Sequence, residues 1–150
     1  LTKYKKHALL IVRLVLGILF LWAAFYKLNA PAEFAQSLEN YKVFDERISR
    51  FIAVFIPFLE VILGIFLIFG IWLKETFILT VLLYIIFDIM IFQAYLRDLD
   101  ISCGCFSSSS SSPIGVAKFG ENFLLTFLAV FGLLTVRKII KSENLEPPMK

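Results

Sequence analysis

The sequence predicts an all-α, four-transmembrane-helix bundle with a short amphipathic helix in the first outer loop, and three features lead there. Hydrophobic residues make up 59% of the 150 positions and charged residues only 18%, where a soluble domain has roughly a quarter charged; the mean hydropathy is +0.84. Four apolar stretches, residues 8–26, 51–73, 77–96 and 119–136, approach the roughly 20 residues a helix needs to cross a bilayer core of about 30 Å. These stretches are apolar on every side, without the alternation of a membrane strand, and backbone groups in lipid must be paired within the segment. The division is therefore a membrane domain over 1–136 and a polar cytoplasmic tail over 137–150, expected to fray. The formal charge of +3 comes from basic residues flanking the helices and gives no ground for a nucleic-acid role.

Each element has its own justification. Lys3, Lys5 and Lys6 precede the first apolar stretch, which is too long for a signal peptide's core and lacks a small-residue cleavage site, so it reads as an uncleaved anchor. In residues 31–50, Phe34, Leu38, Tyr41 and Phe44 recur at spacings of three or four. That spacing makes a helix lying on or lidding the bundle, with Pro31 in its first turn. Only a few residues around Lys74 and Glu75 separate the second and third stretches, which must be antiparallel neighbours. The third connection holds Asp98, Asp100, the two cysteines and the serines of 107–112, a tract that cannot bury apolar surface and is expected to be mobile. Trp22 and Trp72 fall near opposite interfaces, and the many phenylalanines read as lipid-facing filler.

Orientation follows from the basic residues. Lys3, Lys5, Lys6, Lys74, Arg137, Lys138 and Lys141 collect on one side, which the positive-inside rule makes cytoplasmic. Lys27, Lys42, Arg47 and Arg50 weigh against this from the first outer segment. With both termini inside, the cysteine connection faces outward, which in a bacterial inner (plasma) membrane is the oxidising periplasmic side where disulfides persist.

Polar residues within the apolar stretches point to a site. At about 1.5 Å per residue, Glu60 lies roughly 14 Å below the start of the second stretch and Asp88 roughly 12 Å below the end of the third, in one layer. Gln93, Glu121 and Asn122 sit nearer the outer boundary, and Lys27 closes the first helix there. A charge in hydrocarbon costs at least a few kcal/mol, so such groups face the bundle interior, pair or protonate. Tyr84, Asp88 and Tyr95 share one helix face, an inward polar stripe, and Pro57 is placed to kink the helix one turn before Glu60. Lys27, Glu60, Tyr84, Asp88, Glu121 and Asn122 are the candidate cavity-lining set.

Cys103 and Cys105, the only cysteines, flank Gly104 above this layer and are the candidate catalytic residues. A thiolate is the attacking species, and Lys118, Arg97 and the start of the fourth helix are the positive groups available to favour it. A disulfide between residues two apart closes a small ring, which is strained and hence labile and oxidising. A static loop staple or two idle thiols, or a soft-metal site, which would need about two more ligands while His7 lies on the opposite side, are the other readings of the pair; no metal site is expected. Structural helix pairing is an equal reading for Glu60 and Asp88.

Arg13 and Gly17, Lys27-Leu28, Pro31, Phe34 and Tyr41, then Pro57-Phe-Leu-Glu60, Gly64, Gly70 and Ser102-Cys-Gly-Cys-Phe106 together resemble the MauE branch of the DoxX-like membrane proteins. The resemblance extends to about Val136, and its sharpest element is the Cys-Gly-Cys motif. It implies a redox-associated bundle that supports disulfide formation or maturation of periplasmic proteins beside a thioredoxin-like partner. It also implies likeness in outline to quinone-linked vitamin K epoxide reductase bundles, which makes a quinone the candidate cofactor. Ser107 stands where the family typically has glycine. The implied function is a membrane thiol-disulfide oxidoreductase; the alternative is a non-enzymatic assembly factor whose outer loop docks a partner, and a proton-linked transporter using Glu60 and Asp88 is the least favoured.

Overall fold

The computed structural model describes residues 2–41, 45–96 and 116–145. They form α1 (Thr2–Asn29), α2 (Pro31–Asn40), α3 (Glu46–Phe69), α4 (Leu73–Leu96) and α5 (Val116–Leu145). Four of these helices contain segments long and apolar enough to span a bilayer: Lys6–Asn29, Glu46–Phe69, Leu73–Gln93 and Gly120–Ser142. The protein is thus an all-α, multi-pass membrane bundle with one short amphipathic helix.

The helices run past several of the limits that hydropathy set. α3 begins at Glu46 because its polar first turn is itself helical, with Arg50 paired to Glu46 one turn away. α5 continues through Arg137-Lys-Ile-Ile-Lys141 to Leu145, into the segment expected to fray as a tail. Hydropathy marks where lipid contact ends, whereas good helix formers carry the backbone further. Pro57 is fully buried within α3, which continues as helix on both sides of it.

α3 stops at Phe69, short of the expected limit, because Gly70 takes the left-handed conformation at φ 77° and donates its N–H to Phe66 O. The adjoining carbonyls are capped from another helix: Arg13 Nε donates to Leu67 O at 2.9 Å and Nη2 to Ile68 O at 3.1 Å. A Cβ at Gly70 would collide with that guanidinium. The turn through Trp72 then reverses the chain into α4.

α1 and α3 are antiparallel, with Arg13 opposite Leu67 and Gly17 opposite Gly64. α4 and α5 repeat the arrangement, where Gly132 receives the ring of Phe77 and Asn122 reaches Asp88. Each pair also touches the other, α1 against α5 and α3 against α4, closing a four-helix ring. Its centre is crossed by Phe20 and Tyr84, stacked with centroids 5.2 Å apart, within a core that includes Leu16, Leu63, Leu67, Phe77 and Ala129. Outward faces carry exposed Ile18, Phe25, Phe55, Phe58, Ile89 and Phe127, the surface a bilayer would cover.

α2 is a lid. Phe34, Ala35, Leu38 and Tyr41 pack on Ala53 and Met90, backed by Ile52 and Ile56, at the end of the bundle where α1 finishes and α3 starts. Phe44, expected on the same stripe, lies outside the described residues. Burial pushes the Tyr41 phenol up to about 12 from its ordinary 10.0.

Candidate functional site: a buried ion pair beneath the lid

Lys27 stands in the last turn of α1 and Glu60 midway along antiparallel α3. Helical side chains tilt toward the N-terminus of their own helix, so the lysine stem leans down into the bundle while the glutamate leans up toward it. Lys27 Nζ donates to Glu60 Oε1 in an ion pair whose side chains are each only 3% exposed. Lys27 closes α1 and, as the cavity-lining expectation has it, turns inward.

Two aromatic rings flank the ammonium. Nζ lies 5.2 Å from the ring centroid of Phe34 on the lid and 5.4 Å from that of Phe87 on α4. A cation over a desolvated ring is stabilised by about 2 kcal/mol. These contacts, with the carboxylate, offset part of the cost of removing the lysine from water. Glu60 Oε2 has no hydrogen-bond partner among the described residues.

Beside the pair is a cavity of about 20 Å³, lined by Lys27, Glu60, Tyr84 and Asn122 together with Leu19, Phe20, Ala23 and Phe87. Asn122 also belongs to a second polar cluster at the seam of α4 and α5. Its Nδ2 donates to Asp88 Oδ1 at 2.7 Å, and Thr126 Oγ1 donates to Asp88 Oδ2 at 2.6 Å. Asn122 and Thr126 are one helical turn apart, so both meet one carboxylate from the same face.

Four of the candidate residues, Lys27, Glu60, Tyr84 and Asn122, therefore surround one space, with Asp88 joined to it through Asn122. Glu121 is on the exposed side of α5. Tyr95, expected on the inward stripe, is 52% exposed, because the face it shares with Tyr84 and Asp88 leaves the bundle near the end of α4. Cys103, Cys105, Arg97 and the serine tract lie outside the described residues. Phe34, expected on the lid stripe, also flanks the ammonium, whereas Thr126 and Phe87 carry no sequence signal of their roles.

The cavity does not fit a quinone ring. About 20 Å³ is far below the roughly 300 Å³ at which pockets for drug-sized ligands begin. The larger groove, about 300 Å³ and lined by Leu9, Leu73, Lys74, Glu75, Val136, Ile139 and Ile140, is at the opposite end of the bundle. Among the described residues no cluster of histidine, cysteine and carboxylate side chains is arranged to hold a metal ion.

Fold and site together define a multi-pass membrane protein whose four spanning helices enclose a paired lysine and glutamate. The chain belongs to the MauE family: the model of that family, described as methylamine utilisation protein MauE, matches residues 5–135. The methylamine utilization protein MauE of Paracoccus denitrificans is 28% identical over 120 residues, which are 79% of this chain and 64% of that protein. The chain thus spans a little under two thirds of the length of this curated relative. No solved structure matches.

Proposed function

We propose that this chain is a membrane accessory protein that exchanges disulfides through Cys103 and Cys105 with a thioredoxin-like partner, supporting maturation of periplasmic proteins. In this reading it resides in the bacterial inner membrane with both termini cytoplasmic and the Cys-Gly-Cys connection periplasmic. The observation that carries the reading is the motif itself: the only two cysteines, separated by one glycine. They fall in the connection from Leu96 to Val116, whose anchoring helix ends share the lidded end of the bundle. The relative's name ties that protein to methylamine utilisation, and we take the same process as the setting here.

The chemistry requires no group beyond the two sulfurs and the partner's pair. One thiolate attacks a sulfur of the partner's disulfide, forming a mixed disulfide and releasing the other partner sulfur as thiolate. The second cysteine, as thiolate, then attacks the mixed bond, closing its own disulfide and leaving the partner as a dithiol. Two electrons pass to the partner, and the reverse sequence returns them. Quinone enters no step. Lys27, Glu60, Tyr84, Asp88 and Asn122 serve as the rigid base from which the connection springs, with Glu121 beside it.

The test is capture under non-reducing conditions. Either Cys103→Ser or Cys105→Ser should accumulate a mixed disulfide with a thioredoxin-like protein, and the double replacement should abolish maturation of the client. Membrane-impermeant alkylation should reach both thiols from the periplasm. Normal maturation with both cysteines replaced would leave the docking reading standing and end this one.

A further inference from the structure

We propose that the cavity between Glu60, Tyr84 and Asn122 is a binding site for one water molecule, and that this water joins the two polar clusters into a single chain from Lys27 on α1 to Thr126 on α5. The inference is independent of the cysteine chemistry.

Glu60 is 2% exposed, and while Oε1 takes the lysine, Oε2 is buried without a donor among the described residues. A carboxylate oxygen in that position bears a desolvation cost that one donor would relieve. Ser49 Oγ and Thr80 Oγ1 are also buried without partners among the described residues, but neither lines this cavity; Glu60 does. A buried water needs roughly 10–15 Å³ and two to four polar partners. The cavity, about 20 Å³, meets the first condition and holds one molecule, and its polar walls meet the second.

The direction of each hydrogen bond follows from the neighbours. Asp88 is an acceptor, so Asn122 turns its Nδ2 to it, which leaves the carboxamide oxygen as the acceptor available to the cavity. Glu60 Oε2 is likewise an acceptor. The water therefore donates to Glu60 Oε2 and to Asn122 Oδ1 and accepts from the Tyr84 hydroxyl. Three hydrogen bonds are the usual complement of a buried water. All four spanning helices then contribute to one polar chain: Lys27, Glu60, the water, Tyr84 and Asn122, and beyond it Asp88 and Thr126.

The test is proton polarisation transfer from water to carboxyl carbons, by solid-state NMR on carbon-13-labelled full chain in phospholipid bilayers, with the Glu60 signal assigned through Glu60→Gln. Transfer to Glu60 should occur as it does to the exposed Glu33, and should be lost in Ala23→Val, whose added methyl groups occupy the cavity. Tyr84→Phe, which keeps the ring on Phe20 and removes only the hydroxyl, should give a partial loss. Absence of transfer in the unaltered protein would overturn the proposal whatever the variants do. Undiminished transfer in a folded Ala23→Val protein would assign the protons to the Lys27 ammonium and overturn it as well.

Discussion

Gly17 and Gly64 stand back to back where α1 crosses α3: a Cβ on either would come within 3.0 Å of the other's carbonyl oxygen. Neither oxygen can yield without parting the helices. In lipid, where apolar burial supplies no drive between helices, such close backbone approach is a main source of packing energy. Gly120, by contrast, has nothing among the described residues within 4 Å of the same position. Alanine at Gly17 or Gly64 should therefore cost about 1–3 kcal/mol despite its better helix propensity, whereas Gly120→Ala should be neutral or gain up to about 1 kcal/mol. Reversible unfolding in mixed micelles measures all three, and like signs at Gly64 and Gly120 would refute the crossing.

The paired charges make a sharper prediction. Lys27→Met leaves a carboxylate buried alone, and Glu60→Leu leaves an ammonium; removing one partner of a buried pair costs about 3–5 kcal/mol. Removing both, as Lys27→Met with Glu60→Leu, restores an apolar interior. The double variant should be more stable than Lys27→Met alone, although Phe34 and Phe87 then lose the cation they flank. Simple addition of the single losses in a double-mutant cycle would show that the pair is not coupled.

Much of this architecture is written in the chain. The four spans follow from composition, and the lid follows from Phe34, Leu38 and Tyr41, all of which are buried. That Glu60 turns inward follows from the cost of a charge in hydrocarbon. Its partner does not follow, because a lysine in the last turn of a membrane helix can equally extend to the interface. Thr126 gives no signal either, since a hydroxyl in an apolar helix can satisfy itself on the preceding turn, as Thr135 does on Phe131 O at 2.8 Å. Arg13 carries a charge that hydropathy counts only as an interruption, yet its use is set by where α3 ends, 54 residues along the chain from it. Pairings of this kind depend on helix register, which periodicity within one segment cannot supply.

Tyr41 gives the lid a measurable alkaline limit. Its phenol is buried against α3 with its proton held up to about 12, while a released lid would titrate at the ordinary 10.0. The docked state therefore binds the proton more tightly. Its advantage is fully present below pH 10 and declines as the pH rises toward the folded value, by about 2 kcal/mol at pH 12. Tyr41→Phe removes the ionisable group and keeps the ring, so lid docking in that variant should lose this component of its pH dependence. The difference in ultraviolet phenolate absorbance between the two proteins isolates Tyr41 from the other tyrosines. A midpoint near 10 in that difference would mean that the phenol meets water and that α2 is not seated on the bundle.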